Sequence, residues 1–230
     1  MKRIYIPVCN AGTFQIKDES HHYLKNVLRA QIGQHIEILT DNELLSAEIN
    51  DIQRHSAFVH IISRHKLTPP GYELTVFQAL LKRGYMDGVV EKYAELGVTN
   101  IVPLLTEHSL HNVKDNSLRR YKEIAKTAAL QSEQNFITEI CTPVAVKDLT
   151  ASHDADNILF YERALHKTQP EIIHKKVRLI IGPEGGFSKN EVDFLTESGF
   201  TAISPVSSIL KAETAAVVFA GWVRIALESL

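Results

Sequence analysis

The sequence predicts an α/β protein in which a mostly parallel sheet alternates with helices, preceded by a small β-rich module. Three observations carry this expectation. From Leu74 onward, short apolar runs of strand character alternate with segments of helical periodicity. Before that point the runs are short, alternating in polarity and separated by turn residues. Between the two regimes "HKLTPPGYE" brings two prolines and a glycine together, so a linker is expected near Thr68 to Gly71, dividing the chain into domains 1–70 and 71–230. With 230 residues, 44% of them hydrophobic, the chain can bury a core in each.

In the first domain "RIYIPV", "HIEIL", "LLSAEI" and "AFVHII" read as strands, with "TDNE" as a turn between the second and third. One short helix interrupts them: "HHYLKNVLRAQIG" sets Tyr23, Leu24, Val27 and Leu28 at helical spacing and ends at Gly33. Its polar side carries Lys25 and Arg29, a pattern that suits a solvated face as well as an RNA-contacting one. The second domain opens with "LTVFQALL" as strand, "DGVVEKYAELG" as amphipathic helix and "NIVPLL" as strand, a β-α-β unit. There follow a long helix "SLRRYKEIAKTAALQSEQ", strands "NILFYE" and "KVRLIIG", helix "KNEVDFLTESG", strand "FTAISPV" and a closing helix "ETAAVVFAGWVRIALESL".

The formal charge of -2 provides no global basic field, so charge neither nominates nor excludes a nucleic-acid partner. Cys9 and Cys141 stand far apart without metal-ligand spacing, which fits a reducing, cytoplasmic setting. The amino terminus "MKRIYIPVCN" lacks a signal-peptide run, and no window approaches the ~18 apolar residues of a membrane span. A soluble protein without membrane association is expected. His55, His60 and His65 sit five apart on a strand-rich segment, so neighbours face opposite sides, and His108 with His111 lacks a third ligand nearby; no metal is expected.

Two stretches carry chemistry. In "LIIGPEGGFSKNEV" an apolar strand meets Gly182, Pro183, Glu184, Gly185 and Gly186, and a helix then starts with Ser188 as N-cap, Glu191 completing a capping box and Phe187 facing Val192 as a hydrophobic staple. The bare glycines permit close approach of a ligand at the carboxyl end of a strand, or serve only a tight turn. The loop matches neither the phosphate-cradling pattern nor the dinucleotide fingerprint. In "SSILKAETAAVVFAGW", Lys211, Glu213 and Thr214 confine polarity to the mouth of an otherwise apolar helix. An acid there complements the helix dipole; because both loops follow successive strands, they can also face one pocket.

With both loops in view, the sequence resembles the SPOUT-class methyltransferases, and within them the RsmE family that methylates N3 of a uridine in small-subunit ribosomal RNA. "HHYLKNVLRAQIG", "KYAELGVTNIVPLL", "LIIGPEGGFSKNEV" and "ILKAETAA" carry the resemblance, in order, over nearly the whole chain. It implies a SPOUT-type knotted α/β domain with a mostly parallel sheet and helices on both faces, plus an N-terminal PUA-like β-barrel domain that helps hold RNA. It also implies a homodimer, S-adenosylmethionine as cofactor and 16S ribosomal RNA of the small ribosomal subunit as partner. The cofactor loops would be Ile181, Gly182, Pro183, Glu184, Gly185 and Gly186, and Val206, Ser207, Ile209, Leu210, Lys211 and Thr214. Glu213 is expected to serve as base or orienting group and Lys211 to stabilise negative charge on the uracil, with bracing of the loop as the alternative role for either. Lys25, Arg29, Lys82, Arg83 and His108 are expected to contact RNA. Where the family usually has arginine this chain has His108, Gln134, Ser208 and Lys211, which keeps a non-catalytic RNA-binding or ribosome-assembly role as the alternative.

Overall fold

A computed structural model describes residues 2–9, 12–109, 113–165 and 171–230; the side chain of Arg83 and the whole of His111 lie outside the description. The chain forms two compact units, Met1–Pro69 with Leu130–Phe136, and Pro70–Ala129 with Ile137–Leu230.

The first unit contains β1 (Arg3–Tyr5), β2 (Thr13–Ile16), α1 (Asp18–His22), β3 (His35–Leu39), β4 (Glu43–Ile52) and β5 (Ala57–Lys66). Its five strands lie in the order β1-β3-β4-β5-β2, with β1 parallel to β3 and the other pairs antiparallel. Alternation explains which face is buried: Ile36 and Ile38, Leu45, Ala47 and Ile49, and Val59 and Ile61 point to one core. Thr40 fixes the β3–β4 turn, its Oγ1 accepting from the Glu43 amide at 2.9 Å. Arg3, 5% exposed, donates to Glu37 and, at 2.8 Å, to the carbonyl of Gln134, which ties the returning segment 130–136 to β1.

The helix expected at "HHYLKNVLRAQIG" begins earlier, at Asp18, and continues from α1 as a π-helical turn over Tyr23–Val27. The Leu28 amide donates to the Tyr23 carbonyl five residues back, at 2.9 Å. Leu24 is fully buried and Tyr23 and Leu28 pack beside it, but the wider turn rotates Val27 outward to 57% exposure, correcting its expected place on the apolar face. β2 was not expected from the sequence: its four residues "TFQI" bury only Ile16 fully.

The second unit contains β6 (Glu73–Ala79), α2 (Arg83–Glu95), β7 (Asn100–Leu105), all but the last two residues of α3 (Asp115–Gln131), the two-residue strands β8 (Glu139–Ile140) and β9 (Val144–Ala145), β10 (Asp156–Phe160), β11 (Lys176–Ile181), α4 (Lys189–Glu197), β12 (Thr201–Ile203) and α5 (Ala212–Glu228). Every strand pairing is parallel, in the order β12-β10-β11-β6-β7-β8, with β9 also on β7. Both sheet faces are covered, as a parallel sheet requires. Val76, Ile101, Ile158 and Leu179 face a core with α2, α3 and α5, whereas Phe77, Val102, Leu159 and Ile180 face a core with α4. Gln78, fully buried, accepts from the Tyr93 hydroxyl at 2.6 Å and donates to the Ala79 carbonyl at 2.9 Å, so this polar group inside the unit is satisfied.

Cys9 is buried and Cys141 half-buried, and no disulfide joins the two. No helix among the described residues is long and apolar enough to cross a membrane. His55, His60 and His65 are all exposed, and among the described residues no group of three or more His, Cys, Asp or Glu is gathered to hold a metal.

Candidate functional site

All strands of the second sheet run the same way, so the segments leaving β6, β10, β11 and β12 emerge on one edge. That is the carboxyl edge, where open α/β sheets hold ligands. A cavity of about 540 Å³ lies there, lined from β6 and α2 by Lys82 and Tyr85, from β10 by Phe160 to Arg163, from β11 by Ile181 to Phe187, and from β12 and α5 by Ile203 to Phe219 in part. The volume suits a nucleotide-sized ligand.

The "GPEGG" loop is held by its surroundings. The Gly186 amide donates to the Pro183 carbonyl at 3.0 Å, closing a turn, and Gly186 itself has φ +70°, a conformation that favours glycine. A Cβ on Gly182 would lie 2.9 Å from the buried Phe187 ring, and one on Gly185 would lie 3.0 Å from Cβ of His108. Gly182 and Gly185 are crowded by neighbouring side chains, whereas Gly186 is set apart by its backbone conformation. Helix α4 begins immediately after, with Ser188 Oγ accepting from the Glu191 amide at 3.3 Å and the Glu191 carboxylate accepting from the Ser188 amide at 2.9 Å. The second oxygen of Glu191 accepts from the Glu107 amide at 2.8 Å, so this capping box also anchors the segment after β7. Phe187 and Val192 meet in the same core, as the staple requires.

Other bonds join the loops to one another. The Glu184 carboxylate accepts from the Lys82 amide at 3.1 Å, fastening the start of α2 to the glycine loop. Ser204, 6% exposed, donates to the Glu162 carbonyl at 3.1 Å, linking the segments after β10 and β12. The Phe160 and Phe219 rings stack with centroids 3.6 Å apart and an interplanar angle of 3°, pinning α5 to the end of β10 beneath the cavity.

Of the residues expected for the cofactor, Ile181, Gly182, Pro183, Glu184, Gly185, Gly186, Val206, Ile209, Leu210 and Lys211 all line this cavity; Ser207 and Thr214 are exposed and do not line it. Lys211 and Glu213 both line it, Lys211 exposed as the N-cap of α5 and Glu213 half-buried in its first turn. Among the residues expected at RNA, Lys82 also lines the cavity, whereas His108 sits against the glycine loop, its Nδ1 3.1 Å from the Gly186 carbonyl oxygen. Lys25 and Arg29 are exposed in the first unit; Lys25 Nζ donates to the Gln53 carbonyl at 3.2 Å, and Arg29 has φ +48°. Sequence reasoning missed Tyr85, Phe160, Tyr161, Glu162, Arg163 and Ser204. The available signal was that "NILFYE" ends a parallel strand on the same edge as the two loops already singled out.

Comparison with known proteins bears on this architecture. Residues 68–224 match the model of an RNA methyltransferase domain, and residues 16–62 that of an RNA methyltransferase PUA domain. The chain is 29% identical to ribosomal RNA small subunit methyltransferase E of Rickettsia conorii, over 97% of this chain and 95% of the relative. It superposes with a TM-score of 0.88 and 28% identity on a methyltransferase from Legionella pneumophila solved with bound SAM, covering 98% of this chain and 97% of that one. A ribosomal RNA small subunit methyltransferase E from Neisseria gonorrhoeae shares the fold with a TM-score of 0.88 at 23% identity, over 98% and 97% of the two chains.

Proposed function

The chain belongs to the RNA methyltransferase family, and from that premise we propose that it uses S-adenosylmethionine to methylate N3 of a uridine in 16S ribosomal RNA of the small ribosomal subunit. The observation that carries this reading is a single cavity whose wall includes both "GPEGG" and the start of α5. Residues 1–70 would help hold RNA and residues 71–230 would carry the chemistry, with the carboxyl-terminal chain threaded as a trefoil knot. A cytoplasmic location follows from the proposed substrate.

The lining suits this cofactor. Ile209 and Leu210 line the cavity, exposed and half-buried, and offer apolar contact to adenine, while the glycine loop brings main-chain groups to the same wall. Three carboxylates, Glu162, Glu184 and Glu213, share the cavity with three cations, Lys82, Arg163 and Lys211, a mixture that suits the ammonium and carboxylate of the cofactor's amino-acid end better than a phosphate chain. When bound, the cofactor supplies an electrophilic methyl group on a sulfonium.

Uridine N3 carries a proton at neutral pH, and its removal frees the lone pair that must accept the methyl. Glu213 is the carboxylate positioned on the α5 side of the cavity to take that proton or to orient the ring, and the Lys211 ammonium stabilises negative charge on the uracil oxygens. Glu213→Gln is expected to lower methyl transfer by about a hundredfold, and Lys211→Ala to lower it as well. Retention of full transfer by both variants would refute the assignment. Failure of the unaltered chain to bind S-adenosylmethionine would favour the non-catalytic RNA-binding role instead.

A homodimer belongs to the same reading and is supported by α5. Val217, Val218 and Ile225 are 37%, 45% and 69% exposed and recur at helical spacing, an apolar stripe that water would otherwise cover. Sedimentation at micromolar concentration is expected to give the mass of two chains; the mass of one would contradict it.

A further inference from the structure

The chain has nine phenylalanines, seven tyrosines and one tryptophan, and among the described residues Tyr85 is the one aromatic side chain that is exposed, at 49%. It lines the cavity from the first turn of α2, together with Lys82. Exposure of a lone aromatic at the wall of a ligand site asks for a partner that arrives from solvent.

The local sequence keeps that ring clear. Its neighbours along α2 are Gly84 and, one turn on, Gly88, and at neither would a Cβ meet any atom within 4 Å. Glycine is a poor helix former, and nothing packed against these two positions requires it. Neither adds a side chain to the stretch of helix around Tyr85. Tyr85 follows Lys82 by three residues, and the Lys82 amide is fastened to Glu184 of the glycine loop at 3.1 Å. The start of α2, which carries Tyr85, is thus held to the same frame as the expected cofactor loop.

We propose that Tyr85 is the platform on which the methyl-accepting RNA base stacks once it has left its own helix. The inference rests on the methyltransferase reading above. A base modified at a ring nitrogen has to be unstacked and presented singly, and aromatic side chains replace the lost stacking. Phe160, another ring of the same wall, is 7% exposed and stacked on Phe219, so it offers little face to a base arriving from solvent. Lys82 beside the ring offers a cation to a flanking phosphate.

The test compares the unaltered chain with Tyr85→Phe and Tyr85→Ala. S-adenosylmethionine binding is measured by equilibrium dialysis, methyl transfer over a range of small-subunit concentrations at saturating cofactor, and mass by sedimentation. Tyr85→Phe is expected to match the unaltered chain. Tyr85→Ala is expected to lower kcat/KM for the RNA substrate by about ten- to hundredfold, the range that base–aromatic stacking supplies, with cofactor affinity and mass unchanged. Unchanged cofactor affinity also reports an intact fold. Equal transfer by Tyr85→Ala would overturn the role, as would a parallel loss of cofactor affinity, which would put the ring in the cofactor wall, or a change in mass, which would put it in a subunit interface. Absence of transfer by the unaltered chain would remove the acceptor base and with it the methyltransferase reading, an outcome distinct from failure of Tyr85 alone.

Discussion

Gly182, Gly185 and Gly186 are glycines for three different reasons, and this makes their substitutions separable. Gly182 abuts the buried Phe187 ring at 2.9 Å from a would-be Cβ, so Gly182→Ala forces a core side chain to move and is expected to cost about 1–3 kcal/mol in denaturant unfolding. Gly185 abuts His108 at 3.0 Å on an exposed loop, so Gly185→Ala is expected to leave stability nearly unchanged but to weaken S-adenosylmethionine binding by roughly tenfold, or about 1.4 kcal/mol. Equal losses of stability in the two variants would contradict this division. Gly186 is set apart by its φ of +70°. The glycines themselves were legible in the sequence as a site where backbone lies bare. Their partners were not, because Phe187, His108 and Glu162 reach them through space, and His108 in particular reads in the sequence as an RNA contact at a substituted arginine position rather than as a neighbour of the glycine loop. Its contact with the Gly186 carbonyl gives it a place in the loop whether or not it also meets RNA.

Among the elements, α4 shows the closest agreement between pattern and structure, since Ser188, Glu191, Phe187 and Val192 are all within five residues of one another and their interactions are local. What the pattern did not contain is the long-range bond from Glu191 to the Glu107 amide. Ser188→Ala is expected to cost about 1 kcal/mol, as for an ordinary N-cap. Glu191→Ala strips the acceptor from two amides and is expected to cost more, about 2 kcal/mol. Denaturant titration of both variants checks the order, and a smaller loss for Glu191→Ala would mean that the bond to Glu107 contributes nothing. Long helices and buried strands of the second unit were readable because their periodicity is sustained. β2, β8 and β9 were not, having four, two and two residues and too few buried positions to show a period. The π-helical turn at Tyr23–Val27 escaped for another reason: one widened turn resets which residues share a face, and side-chain identities alone do not announce it.

At the scale of the whole molecule, alternation of strand and helix implied a parallel sheet but not the order of its strands. β11 lies beside β6, which is far from it in sequence, and this pairing brings the glycine loop next to the start of α2. The two loops singled out in the sequence belong to one cavity because their strands share an edge with β10 and β6. The family model over 68–224 makes the chain an RNA methyltransferase family member; the base and atom it modifies are the central claim. The most direct measurement incubates the purified chain with labelled S-adenosylmethionine and small ribosomal subunits lacking the modification, beside naked 16S ribosomal RNA, and identifies the labelled nucleoside after digestion. Label in 3-methyluridine is the predicted result. Label in any other nucleoside, or none in either substrate, would contradict it.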